Sequence, residues 1–156
     1  MRWWKGIHWQ KNQHKILHTV RRLLIHRAIN IALFNSKGQL VLQKRSTQKD
    51  LYPGYYALSS TGHVSKGETY EEAAVRELKE EMGVSNIELK RIETFLVPAK
   101  DEVEMITLFT GTYDGDYSYP SDEVESIQYF FPQEIQKLES ITACSKKSLQ
   151  IMKIML

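Results

Sequence analysis

The sequence predicts an α/β protein in which a mixed sheet lies between helices, and three observations carry that prediction. Segments of apolar alternation stand on both sides of one strongly helical stretch. No βαβ repeat connects them, which argues against an all-parallel sheet. The chain has 156 residues, 42% of them hydrophobic and 26% charged, which suits one domain large enough for a continuous core.

Taken in order, Ala28–Asn35 alternates Ile29, Ile31 and Leu33 as a strand, and Ser36-Lys37-Gly38 is a hairpin turn signal. Leu40–Gln43 returns as the second strand. A polar loop over 46–55 carries Pro53-Gly54 and leads into a short strand, Tyr56–Ser60. Ile87–Val97 and Glu104–Tyr113 read as longer strands, with a turn at Asp114-Gly115-Asp116. Ile127–Phe131 is a further strand, and a short helix starts after Pro132. Lys146–Met155 closes the chain as a helix, with Leu149, Met152 and the adjoining Leu156 facing inward.

The secure helix is Tyr70–Met82. Thr69 is its N-cap, with Glu72 three residues on in a capping-box pattern, and Glu71 and Glu72 suit the positive end of the helix dipole. Val75, Leu78 and Met82, with Ala74 beside them, form the core-facing stripe. Gly83 stands where a left-handed cap favours the absence of a side chain.

On this helix Glu77, Glu80 and Glu81 are related by i, i+3 and i+4 and share one face. Like charges so placed repel by a few tenths of a kcal/mol per pair. A solvated acidic face is the bland reading. Lys79 lies off the face and Arg76 neutralises it only in part, so a divalent cation is the natural partner. Hard oxygen donors in this number suit Mg²⁺ or Mn²⁺.

The net charge of +2 conceals an asymmetry, because the first acidic residue is Asp50 and eleven Lys or Arg residues precede it. Residues 1–16 form a basic, acid-free extension containing Trp3, Trp4 and Trp9, ahead of a single domain over 17–156. Those tryptophans suit core packing or a homodimer contact better than a membrane surface. The basic start is compatible with phosphate steering, nucleic-acid contact or a transit peptide. The acidic remainder fits a metal-and-phosphate enzyme better than a stable nucleic-acid partner. No apolar run is long enough to span a membrane. Cys144 is the sole cysteine, so no intrachain disulfide forms, and a reducing, cytoplasmic compartment is expected.

From Gly62 to Val84 the chain satisfies every position of G-x5-E-x7-R-E-U-x-E-E-x-G-U, where U is a bulky aliphatic residue. The fixed positions are Gly62, Glu68, Arg76, Glu77, Leu78, Glu80, Glu81, Gly83 and Val84. This resembles the Nudix box, and the resemblance implies an α/β/α sandwich with a mixed central sheet. It also implies Mg²⁺- or Mn²⁺-dependent hydrolysis of a pyrophosphate linkage in a nucleoside diphosphate derivative or another organic diphosphate. In that reading Glu77, Glu80 and Glu81 hold the metal and a Gly62 carbonyl completes its shell. Arg76 orients Glu77, and Glu68 supports the loop. The general base is a box carboxylate or Glu104.

Leu40-Val-Leu-Gln-Lys-Arg-Ser46, Pro53-Gly54, Thr61-Gly-His63 and Glu102-Val-Glu104 extend the resemblance. They look like the Nudix branch related to isopentenyl diphosphate isomerase. By that likeness Arg45 and Lys49 bind the diphosphate, and Glu102 or Glu104 joins the helix carboxylates at the metal. His18, His26 and His63 with the same two acids fall on or near the isomerase's metal-ligand positions, which by that likeness implies a second metal site here. Thr61, however, stands where the isomerase has a cysteine, and a hydroxyl is a far poorer proton carrier than a thiol at carbon. The box is complete here and degenerate in the isomerase. Both departures favour a hydrolase over the two alternatives, an isomerase of allylic diphosphates and a catalytically silent ligand-binding domain.

Overall fold

The computed structural model describes residues 24–99 and 102–156, so His18, the three tryptophans and the boundary at residue 17 lie outside the described residues. Its elements run β1 (Ile25–Phe34), β2 (Leu40–Arg45), β3 (Tyr56–Leu58), β4 (Ser60–His63), α1 (Tyr70–Met82), β5 (Lys90–Pro98), β6 (Val103–Thr112), β7 (Val124–Phe130), α2 (Pro132–Ile135) and α3 (Ala143–Ile151). The strands form one seven-stranded mixed sheet with the main order β3-β2-β1-β6-β5, while β4 also pairs with β1 and β7 with β2. Only β1 and β6 run parallel; the other pairs are antiparallel.

Strand β1 explains the layering. Ile29, Ile31 and Leu33 turn to one face, where Ala73, Ala74, Leu78 and Met82 of α1 cover them. Ala32, on the other face, belongs to a second core with Leu42, Leu58, Leu108 and Leu149 of α3. Between these two layers β1 is buried on both faces, which gives the expected α/β/α sandwich.

Helix α1 begins and ends for the reasons visible in the sequence. Thr69 and Glu72 form the reciprocal capping box, and Gly83 adopts φ 68° with its N–H on the Lys79 carbonyl. The buried stripe is nevertheless Ala73, Ala74, Leu78 and Met82, and the expected core residue Val75 is 55% exposed. Ala74, Leu78 and Met82 follow i, i+4 spacing, and Val75 is rotated about 100° from Ala74.

Two further expectations need correction. The single strand Tyr56–Ser60 is two strands, because the Ser59 hydroxyl accepts from Leu33 N–H at 2.8 Å and donates to the Val41 carbonyl at 2.6 Å. A side chain thus occupies the position of a ladder bond, and the chain crosses from β2 to β1. The last helix starts at Ala143 rather than Lys146, and it docks through Ser145 and Ser148 as well as Leu149. Ser148 accepts from Asn30 Nδ2 at 2.9 Å and Ser145 from Leu58 N–H at 3.0 Å, so buried hydroxyls do work expected of apolar side chains. Leu156 lies beyond the helix, fully exposed. Among the described residues no helix is long and apolar enough to cross a membrane.

Candidate active site

The centre of the box is Arg76. Its Nε and Nη2 donate to the two oxygens of Glu68 at 2.7 and 2.9 Å, the bidentate fork that only a guanidinium offers. Nη1 donates to Glu77 at 2.8 Å and to Glu80 at 3.3 Å, and Nη2 also reaches the His63 carbonyl at 3.0 Å. Glu68 closes the preceding loop by accepting from Ser65 N–H at 2.9 Å. The Arg76 side chain and that backbone bond hold the Glu68 carboxyl at about 2, below its ordinary 4.5. The hydrogen bonds that Arg76 donates to Glu68 and Glu77 raise the guanidinium pKa in turn. One residue therefore ties the loop, the end of β4 and two box carboxylates together.

Glu77 is seated against Gly62, where a Cβ would lie only 2.3 Å from its Cδ. Any larger side chain at 62 would displace that carboxylate. Glu81 enters from the next turn. Its Oε1 accepts from the Gln43 side-chain amide on β2 and from Thr61 N–H at 3.3 Å. Burial pushes the Glu81 carboxyl up to about 7, against those two hydrogen bonds, and the charges of Glu77 and Glu123 add to the rise.

Glu77 and Glu81 face a cleft of about 1050 Å³. Gly62, His63 and Glu104 line it as well, and so do Arg45 and Lys49 from the loop after β2. Arg45 directs Nε and Nη2 onto the Leu51 carbonyl at 3.1 and 2.8 Å, and the Lys49 ammonium pairs with Glu123. Acidic and basic walls thus share one cavity. Seven expected site residues meet there.

The others stand apart. Glu80 is absent from the cleft lining; it is exposed and serves Arg76. His26 and Glu102 pair at 3.2 Å away from the lining, and His63 pairs with Glu104 at 3.3 Å. That contact is the main cause of the raised His63 pKa, with burial opposing it. Register explains why the pairs neighbour each other: His26 aligns with Glu104 across β1 and β6, and Ala28 aligns with His63 across β1 and β4. Among the described residues no three His, Cys, Asp or Glu side chains already converge on one point. Glu77 leans to Arg76, Glu81 to Gln43 and Glu104 to His63.

The donor set still fits a hard divalent cation. When ionised, Glu81 sits in a poorly solvated place with only dipoles to support its charge, and the adjoining Glu77 and Glu123 increase the cost. A cation between Glu77 and Glu81 would remove that penalty.

Gln43 and Glu123 were not singled out by sequence. Gln43 had a signal, being a polar residue at the end of the apolar run Leu40-Val-Leu, and it is 2% exposed. Glu123 had none, since it reaches the cleft from a loop 42 positions beyond Glu81.

Comparisons with known proteins agree with this geometry. A NUDIX domain family model matches residues 24–150. An uncharacterized Nudix hydrolase of Pseudomonas aeruginosa is 32% identical over 136 residues, 86% of this chain and 80% of that protein. An isopentenyl-diphosphate Delta-isomerase of Serratia proteamaculans is 34% identical over 124 residues, 76% of this chain and 67% of that one. The crystal structure of MutT protein from Methanosarcina mazei Go1 superposes with a TM-score of 0.72 at 17% identity, covering 85% of this chain and 94% of that one. The complete box, the α/β/α sandwich and the family match over 24–150 lead to one conclusion: the chain belongs to the Nudix family, as a hydrolase acting on pyrophosphate bonds.

Proposed function

We propose that the protein hydrolyses the pyrophosphate linkage of a nucleoside diphosphate derivative or another organic diphosphate, with Mg²⁺ or Mn²⁺ as cofactor. The observation that carries this reading is that Glu77 and Glu81 line the same cleft as Arg45 and Lys49. A diphosphate requires cationic partners on both sides, and the acidic wall becomes one only by holding metal. A divalent ion held there would polarise phosphoryl oxygens and lower the pKa of a bound water.

The chain's own groups have separate tasks. Glu77 and Glu81 would be the principal metal ligands, with Glu104 and the Gly62 carbonyl as further oxygen donors of the same cleft, whereas Glu80 and Glu102 stand outside its lining. Gln43 and Thr61 N–H fix the orientation of Glu81, as Arg76 fixes Glu77. Lys49 exchanges its Glu123 partner for a phosphate oxygen. Arg45, already spent in part on Leu51, offers its remaining N–H groups. Glu104, held by His63, and Glu81 are the two candidates for accepting a proton from water.

A second reading, isomerisation of an allylic diphosphate, is favoured by the His26–Glu102 and His63–Glu104 pairs and by the likeness to the Serratia isomerase. Thr61 lines the cleft where that reading needs a thiol. One panel separates the two. With Mg²⁺, nucleoside diphosphate sugars, dinucleoside polyphosphates and simple organic diphosphates are assayed chromatographically for the two phosphorylated products of anhydride cleavage, or for phosphate where a terminal group is lost, and isopentenyl diphosphate for dimethylallyl diphosphate. Hydrolysis of at least one anhydride and no allylic product are expected. Allylic product at an enzymatic rate, without anhydride cleavage, would replace the proposal by the isomerase reading.

A further inference from the structure

We infer that the sheet face formed by Ile25, Val103, Met105 and Leu96, past the start of α1, is the seat of the chain's own N-terminal segment, held there through its tryptophans.

Alternation and register define this face. Ile29, Ile31 and Leu33 of β1 point to α1, so Ile25 and Arg27 point the same way. Arg27 agrees, since its guanidinium lies 5.5 Å from the ring centroid of Tyr70, the first residue of α1. Across the parallel ladder Ile25 aligns with Val103 and Arg27 with Met105, and Met105 aligns in turn with Leu96 of β5. Helix α1 covers these strands from Ile29 onward. Short of that point Leu96 is 53% exposed and Ile25 48%, while Val103 and Met105 are only half-buried. A contiguous apolar shelf across three strands of a charged surface marks a place that something covers.

The occupant follows from where the described chain starts. The exposed Leu24 accepts the Val103 N–H on its carbonyl at 3.3 Å, so the 23 residues before it leave from the edge of the shelf. Three strands measure about 10 Å across, which about four extended residues span. A tethered segment meets the shelf at an effective concentration of about millimolar, well above that of a second copy in dilute solution. All three tryptophans of the chain, Trp3, Trp4 and Trp9, belong to this segment. Indoles are the largest apolar groups available to fill the shelf. Arg91, which bonds Thr94 at 3.2 Å beside Leu96 and stacks on Tyr70 at 5.4 Å, adds an exposed guanidinium at the rim, the favoured neighbour of an indole ring.

Tryptophan fluorescence of the full chain reads this segment alone, because no other part contains an indole. In wild type the emission should be blue-shifted from that of indole in water, and acrylamide should quench it weakly at every protein dilution. Leu96→Lys and Ile25→Lys place a charge under the segment and should each raise the released fraction about tenfold or more, with red-shifted emission and quenching toward that of free tryptophan. Both positions are exposed in the fold, so circular dichroism should stay at its wild-type level. Tyr129→Lys, at an exposed aromatic of β7 on the far side of the sheet, should change neither emission nor quenching. Wild-type indoles as accessible as free tryptophan, or equal release by Tyr129→Lys, would overturn the inference. Burial that disappears on dilution together with a dimer in sedimentation would overturn it too, and would give the shelf to a second copy.

Discussion

Glu81→Gln is expected to lower turnover by about a thousandfold or more while making the metal-free protein more stable at neutral pH. The first effect follows from the loss of a charged metal ligand. Metal-based charge stabilisation amounts to several kcal/mol, and each 1.36 kcal/mol is a factor of ten. The second follows from the raised carboxyl of Glu81, about 7 in the fold against an ordinary 4.5. A folded pKa above the unfolded one means that the folded state binds the proton more tightly. The stabilising contribution of that proton is complete below about 4.5 and is lost as pH rises through 7. Above 7 the ionised carboxylate costs on the order of 3 kcal/mol, which the neutral amide avoids. In chelator at pH 8 the variant should melt several degrees above wild type, and at pH 4 the difference should vanish. Added Mg²⁺ should stabilise wild type and hardly affect the variant. Equal melting temperatures at pH 8, or a variant with full activity, would show that Glu81 is an ordinary surface acid.

The second large effect is expected at Arg76. Arg76→Met leaves Glu68, Glu77 and Glu80 without their common cation and frees the His63 carbonyl, so the box loop and the catalytic carboxylates lose their shared anchor. Turnover should fall by at least two powers of ten and the melting temperature should drop. Arg76→Lys should recover little, because one ammonium cannot bridge Glu68 bidentately and also reach Glu77. The pH profile identifies the cause. Glu68 is depressed to about 2 from 4.5, so its stabilisation is present above about 4.5 and is lost as pH falls toward 2. Wild type should therefore lose stability across that window, and Arg76→Met should lose less. Thermal unfolding at successive pH values reads this directly; parallel profiles would remove Arg76 from its proposed role.

Where local chemistry decides the structure, the sequence was a good guide. Thr69, Glu72 and Gly83 act within one turn of their own positions, so the bounds of α1 could be read without knowing the fold. The family pattern likewise located the box carboxylates. What it missed depends on contacts distant in sequence. Ser59 breaks a strand because its hydroxyl meets Leu33 and Val41. The three box glutamates of α1 share a helical face but not an environment: Glu81 is turned to Gln43, Glu77 to Gly62, and Glu80 to solvent and Arg76. Helical spacing gives their common direction and cannot give that difference. Val75 shows the reverse error, since an apolar residue next to a buried stripe need not join it.

In the proposed reaction this cleft directs water to phosphorus in a pyrophosphate linkage. Its most direct test is hydrolysis of the best panel substrate in ¹⁸O-water, with Mg²⁺ or with chelator, followed by mass spectrometry of both products. One ¹⁸O should enter a phosphoryl product in the presence of metal, with no label on carbon and no turnover in chelator. Label in an alcohol product, or turnover undiminished by chelation, would contradict the account.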